Sequence, residues 1–307
     1  MSSVNDELER AYGNLLDEIP LLINRKSIEE LSGGLTNRNL LVETSDRKYV
    51  ARISSNSSEL LAIDRESEYH NSKVASESGV GAEVFDYLRG KGLLIISYIE
   101  GRTYGASDVE NNLSRIALSI RKLHSGKRFD RDFNMFEIQQ RYLAIVKEKG
   151  FRLPQGYEEL IATFHQIERA FAFSDDGTVP CNNDLLPANF IDDGSKVWLI
   201  DYEYSGNNDP CFELGNIWSE ANLPFESLSE LVSAYYGEER RDKLARSWLY
   251  CQVAKYGWTL WASIQDAIST IDFDFWDWGM EKYESMREAV AAEKFSRMME
   301  WVVQEKK

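Results

Sequence analysis

Over the first hundred residues the apolar positions fall in short runs bounded by turns, and beyond about residue 107 they recur every three to four residues. L-L-V-E-T at 40–44 and K-Y-V-A-R-I at 48–53 read as the two strands of a hairpin. A-E-V-F-D-Y-L at 82–88 and L-L-I-I-S-Y-I at 93–99 read as two more, and residues 58–78 between the pairs as a helix ended by Gly79. Residues 4–30 mix charges with Leu15, Leu16, Ile19, Leu21 and Leu22, which suits a helix or two covering a flank. Farther on, Val109, Leu113, Ile116, Ala117, Ile120 and Leu123 mark one face of a helix over 109–124. Residues 136–149, 156–172 and 243–271 read as helices too. The pattern predicts an α+β chain in two parts, a small sheet-based region over 1–100 and a larger, mainly helical region over 101–307.

One stretch interrupts the helices. From Val179 to Glu220 it holds Asp184 and Asn189 in a D-x-x-x-x-N loop, and twelve residues later Asp201 ends the apolar run Val197–Ile200. A carboxylate, an amide and a second carboxylate in this order can serve phosphoryl transfer from a magnesium nucleotide: the first accepts a hydroxyl proton and the other two hold the metal. The D-x-x-x-x-N spacing alone fits a polar turn equally well, since turns favour Asp and Asn. Upstream, L-S-G-G-L-T-N at 31–37 sets Ser32, Gly33, Gly34, Thr36 and Asn37 at a turn whose N–H groups can face phosphates. It matches neither of the common glycine-rich phosphate loops, so by itself it reads as a plain hairpin. Arg52 stands on the following strand where a protein kinase has its phosphate-binding Lys. Its partner would be Glu66 or Glu68, and the distance to the S-G-V-G turn favours Glu66. On the same kinase-like plan the strand carrying Ser97 and Ile99 becomes a hinge offering backbone groups to an adenine.

Composition narrows the function. A hydrophobic fraction of 43% supplies a core and excludes a disordered chain. The net charge of -16 argues against nucleic acid as partner and suits a small cationic substrate. Three cysteines without metal spacing, an N-terminus lacking a signal-type apolar core, and no apolar run of about 18 residues point to a cytoplasmic protein without membrane insertion. The three histidines, His70, His124 and His165, are dispersed, which argues against zinc and gives His124 a packing role. Trp258, Trp261, Gln265 and Ile268 share one helical face, and F-D-F-W-D-W at 273–278 adds rings and acids. Such stripes are usually core, yet rings interspersed with carboxylates are also what a quaternary ammonium requires.

Taken in order, L-S-G-G-L-T-N, V-A-R-I, N-x-D-L-L-P-A-N, L-I-D-Y-E-Y-S-G-N-N, G-N-I-W-S-E and W-T-L-W-A-S-I-Q-D-A-I resemble the choline/ethanolamine kinases, within the wider group of aminoglycoside-phosphotransferase-like kinases. The similarity runs from about residue 30 to 290. It implies a two-lobed, protein-kinase-like fold with ATP and Mg²⁺ between the lobes. By position it makes Asp184 the base, Asn189 and Asp201 the metal ligands, and Arg52 with Glu66 the supporting ion pair. It places Glu203, Tyr204, Glu220, Trp258, Trp261, Phe273 and Trp278 around a choline pocket. Two residues depart from the pattern: Asn182 where His is usual, which implies altered loop packing with activity retained, and Trp278 where Tyr is common. The expected reaction is phosphorylation of choline by a monomer or homodimer. Ethanolamine, thiamine or an aminoglycoside is the alternative acceptor, and a non-catalytic nucleotide- or amine-binding protein the reading of a different class.

Overall fold

The chain, seen in a computed structural model, is described over residues 4–31, 36–54, 60–173 and 177–304. Its N-terminal region holds helix α1 (Val4–Leu16), strands β1 (Ser27–Leu31), β2 (Asn37–Glu43) and β3 (Lys48–Ser54), helix α2 (Arg65–Glu77), and strands β4 (Val84–Leu88) and β5 (Leu93–Ser97). The five strands form one antiparallel sheet in the order β1-β2-β3-β5-β4. The expected hairpin is β2 with β3, in a register that sets Asn39 opposite Arg52. S-I-E-E-L at 27–31, read as part of a helical flank, is instead edge strand β1; Glu29 and Glu30 face solvent there, where charge suits a sheet edge. The glycine turn at 32–35 lies between β1 and β2 and outside the described residues, so Ser32, Gly33 and Gly34 are not placed.

The helix expected over 58–78 begins at Arg65. Asp64 caps it by accepting from the N–H groups of Glu66 and Ser67, at 3.0 and 3.1 Å. That start sets the phase: Glu68, Asn71, Ser72 and Ala75 share the buried face, while Glu66 points outward.

The C-terminal region comprises β6 (Arg102–Thr103), α3 (Ala106–Asn111), α4 (Leu113–His124), α5 (Met135–Lys149), α6 (Ile161–Phe173), β7 (Val179–Cys181), β8 (Phe190–Asp192), β9 (Val197–Leu199), β10 (Gly206–Asn208), α7 (Pro210–Glu220), α8 (Phe225–Tyr236), α9 (Arg241–Ile268), α10 (Phe275–Ala291) and α11 (Glu293–Gln304). Residue 100, the expected boundary, lies between β5 and β6. The single helix expected over 109–124 is two, meeting at Asn112. Short sheets β6-β8-β9 and β7-β10 carry the loops of the central stretch.

Two apolar cores follow this division. The smaller joins Leu16, Ile19 and Leu22 to Leu40, Val42, Ala51 and Ile95 of the sheet. The larger fills the helical region around α9, a helix buried on almost every side from Ala245 to Gln265. A helix apolar all round belongs at a centre, and α9 takes that place among α5, α7, α10 and α11. Among the described residues no helix is long and apolar enough to cross a membrane.

Candidate active site

After β7 the chain turns sharply through Asn182 and Asn183, the latter with φ of +68°, a left-handed conformation that Asn tolerates better than most residues. The turn is held from below. Glu213, fully buried on α7, accepts from the backbone N–H groups of Asn182 at 2.7 Å and Asn183 at 3.0 Å. Its other oxygen meets His124 Nε2, and His124 Nδ1 meets the Tyr235 hydroxyl at 2.8 Å. His124, Cys181 and Glu213 bring ligand-type atoms within 4.8 Å of one another, but these hydrogen bonds already engage both ring nitrogens.

Asn182, the residue standing where His is usual, is tied to the next loop. Its Nδ2 donates to the carbonyls of Ile200 (3.1 Å) and Asp201 (2.8 Å), and its Oδ1 accepts from the N–H of Asp184 (3.0 Å). The amide therefore braces the Asp184 turn against the strand end that carries Asp201. Removing it would strand buried polar groups on both sides, so Asn182→Ala is expected to cost about 2 kcal/mol of stability, read as the free energy of chemical denaturation. A loss below about 0.5 kcal/mol would show that the brace is dispensable.

Beyond Asp184 a 3₁₀ turn over Pro187–Asn189 returns the chain, and Asn189 Nδ2 donates to the Asp184 carbonyl at 2.7 Å. This bond fixes the amide and leaves its oxygen as the end available to a cation. Asp201, also left-handed at φ +63°, turns its carboxylate onto Arg52, which bonds both oxygens at 2.7 and 3.2 Å. The ion pair expected between Arg52 and Glu66 is made instead with Glu68, at 3.1 Å and buried. Glu66 pairs with Arg89 at the surface, because the Asp64 cap puts Glu68 on the inner face of α2. Burial opposes the Arg52 charge, yet Asp201, Glu68 and Glu203 hold its pKa above the ordinary value.

Thr36 and Asn37, at the foot of the glycine turn, donate to the Glu203 carboxylate at 2.7 Å each, and Arg65 adds a contact at 3.2 Å. Ser97 and Ile99 lie where the sheet hands over to the helices, and the Ser97 N–H is taken up by the Glu83 carbonyl at 2.8 Å.

Asp184, Asn189 and Asp201 open onto a cavity of about 150 Å³, small against the ~300–1,000 Å³ usual for drug-sized ligands. Thr36, Glu203 and Glu220 also line it, and Tyr204, Trp258, Trp261 and Trp278 form its aromatic side. The rings brace each other edge to face, with Tyr204 to Trp258 at 5.0 Å and Trp261 to Trp278 at 5.5 Å between centroids. Trp261 Nε1 donates to the Tyr204 hydroxyl at 2.7 Å. Phe273, expected beside them, does not line the cavity: it is 40% exposed and meets Phe275 edge to face at 4.9 Å, and Phe275 meets Trp261 at 5.7 Å. Burial first, then the charges of Asp201, Glu203 and Glu220, raises the Asp184 carboxyl well above the usual carboxylate range, with Lys282 opposing. Burial, with Asp201 and Glu68 close by, likewise pushes Glu203 up to about 7. The site holds more negative charge than its own cations balance.

Sequence reasoning passed over Glu213, Arg65 and Lys282. Only Lys282 left a signal, since it falls four residues after Trp278 and so on the same face of α10.

The sequence profile described as Choline/ethanolamine kinase matches residues 28–244. Protein LicA of Haemophilus influenzae is 28% identical over 250 residues, covering 76% of this chain and 72% of that protein. Ethanolamine kinase 2 of Mus musculus is 30% identical over 275 residues, covering 79% of this chain and 70% of that protein. The crystal structure of a choline/ethanolamine kinase family protein from Mesorhizobium loti superimposes with a TM-score of 0.83 at 28% identity, covering 97% of this chain and 99% of the other. The protein-kinase-like fold, the paired halves of the site and these relatives define a small-molecule kinase. The chain belongs to the choline/ethanolamine kinase family.

Proposed function

We propose that this kinase transfers the γ-phosphoryl group of ATP to the hydroxyl of choline, giving phosphocholine, ADP and a proton. The observation that carries the reading is that one cavity is lined both by Asp184, Asn189 and Asp201 and by four aromatic rings. Asp184 orients the hydroxyl and takes its proton as the oxygen–phosphorus bond forms and the bond to the ADP oxygen breaks. Tyr204, Trp258, Trp261 and Trp278 face the quaternary ammonium, which cannot donate hydrogen bonds and is held by ring quadrupoles. Arg52, held by Glu68 and against Asp201, is assigned to the phosphate oxygens, as is the segment from Ser32 to Asn37. The stretch from Ser97 to Ile99 offers backbone groups to the adenine, and the division between nucleotide and acceptor regions falls near residue 100.

The donor set suits magnesium. Two hard oxygen ligands, the fixed amide of Asn189 and the carboxylate of Asp201, sit beside an Asp184 carboxyl raised by burial and then by neighbouring acids, and a divalent cation would relieve that excess of charge. When bound, the metal offsets charge on the phosphates being rearranged. The three buried, free thiols of Cys181, Cys211 and Cys251 fit a reducing, cytoplasmic setting.

Measuring ADP release with choline, ethanolamine, thiamine and an aminoglycoside tests the acceptor. The highest kcat/KM is expected for choline, and clear turnover of another alcohol with none of choline would overturn that choice. Trp258→Ala separates choline from ethanolamine. Loss of one ring face is expected to raise the choline KM about tenfold, within the range of a desolvated cation–π contact, with ethanolamine little changed. Equal losses for both would deny the ring its part.

A further inference from the structure

Four carboxylates line the cavity, and three of them are already engaged. Asp201 is bonded by Arg52 through both oxygens. Glu203 accepts from Thr36, Asn37 and Arg65. Glu220, the last residue of α7, pairs with Lys282 Nζ at 2.7 Å, both side chains being nearly buried at 14% and 11% exposure. The same Nζ lies 4.2 Å from the centroid of the Trp278 ring. Among the described residues Asp184 has no ion-pair partner, and it is the group needed for the acceptor hydroxyl. An ammonium of the protein itself therefore engages one acid and one ring of the wall assigned to the cation, where it also meets the carbonyl end of the α7 dipole.

We propose that Lys282 sets the acceptor preference, by pairing with Glu220 so that the cavity offers a cation ring faces and, apart from the Asp184 kept for the hydroxyl, no unpaired carboxylate. The inference rests on the amino-alcohol reading above. A trimethylammonium head needs only ring faces, and with Lys282 on Trp278 it still has those of Tyr204, Trp258 and Trp261. A primary ammonium carries three N–H donors, and each left without an acceptor in a desolvated site weakens binding. Lys282 thus acts against ethanolamine by withholding a partner, a form of selection through the disfavoured ligand. Lys282 forms no ion pair with Asp184, but its charge opposes the rise of the Asp184 carboxyl, so any effect on kcat should be common to both alcohols while the discrimination between them lies in KM.

The test compares kcat and KM for choline and ethanolamine in the wild type, Lys282→Met and Lys282→Arg. Methionine keeps an apolar stem of similar length on Trp278 and removes the charge. In Lys282→Met the ethanolamine KM should fall about tenfold, one charge-assisted hydrogen bond's worth, with the choline KM within about twofold and any change in kcat shared by the two alcohols. Lys282→Arg should keep the wild-type preference. Lys282→Gln, which can still donate one hydrogen bond to Glu220, guards against misfolding of the methionine variant and should shift the preference in the same direction. An unchanged ratio of the two KM values in the folded Met or Gln variants, or a wild type that prefers ethanolamine, overturns the proposal and leaves the kinase reading intact. Turnover of neither alcohol by the wild type overturns the amino-alcohol reading itself, and this inference with it.

Discussion

Asp184→Asn is expected to lower kcat for the acceptor by about 10²–10⁴-fold while nucleotide affinity stays within a few-fold of wild type. The substitution keeps shape and hydrogen bonding but removes the one carboxylate of the cavity that has no ion-pair partner among the described residues. It also removes a carboxyl whose charge is opposed by burial and by Asp201, Glu203 and Glu220, so the folded protein should lose little stability and can gain some. That combination separates catalysis from binding. A protein that only holds nucleotide or amine would show unchanged ligand affinities and no turnover in either form. A small-molecule kinase that used Asp184 merely to shape the loop would show a modest loss, tenfold or less. Single-turnover measurements at saturating nucleotide, alongside titration of a nucleotide analogue, decide among the three.

The largest expected effect on stability comes from a residue with no chemistry. Gly215→Ala should cost about 3 kcal/mol, at the upper end of ordinary overpacking, and lower Tm by about 5 °C. Gly215 lies where α7 crosses α9, and a Cβ there would stand 2.1 Å from the Ser247 carbonyl oxygen and 3.2 Å from the Cys251 backbone nitrogen. Neither neighbour is a side chain that can swing away, so the helices must part. Differential scanning calorimetry checks it, and a variant as stable as wild type would mean that the two helices have room to spare. Activity should fall as well, because α7 carries Glu213 under the Asp184 turn and Glu220 in the cavity wall.

Much of this was legible in the chain because its signals are local. The β2–β3 hairpin, the order Asp184, Asn189, Asp201, and the Trp258–Trp261 face each follow from spacing within one or two elements. The errors arose where phase or distant contact decides. Glu66 and Glu68 are two residues apart, and only the Asp64 cap determines which faces Arg52. The strand at Ser27–Leu31 carries two glutamates because it is a sheet edge, a position that a single sequence does not reveal. Asn182 was legible as a departure but not as a brace, since its partners Ile200 and Asp201 lie 18 and 19 residues on. Phe273 was placed by its company of rings, although the chain before α10 leaves it half outside. Glu213 and Lys282 act through contacts 31 and 62 residues away in sequence, with Asn182 and Glu220 respectively; no periodicity points to Glu213, and the i, i+4 spacing from Trp278 places Lys282 on a face without naming its partner.

Helix α7 has one further consequence. Its Glu213 and Glu220 are seven residues apart, two turns of the same face and about 10 Å along the axis. The first anchors the turn that presents Asp184, and the second stands in the wall where the cation is to sit. On the proposed function, one short rigid element therefore works as a gauge, setting the span between the group assigned to receive the proton and the surface assigned to the positive head. An alcohol with a longer spacer between hydroxyl and nitrogen would overrun that gauge at one end or the other, however well each end fitted alone.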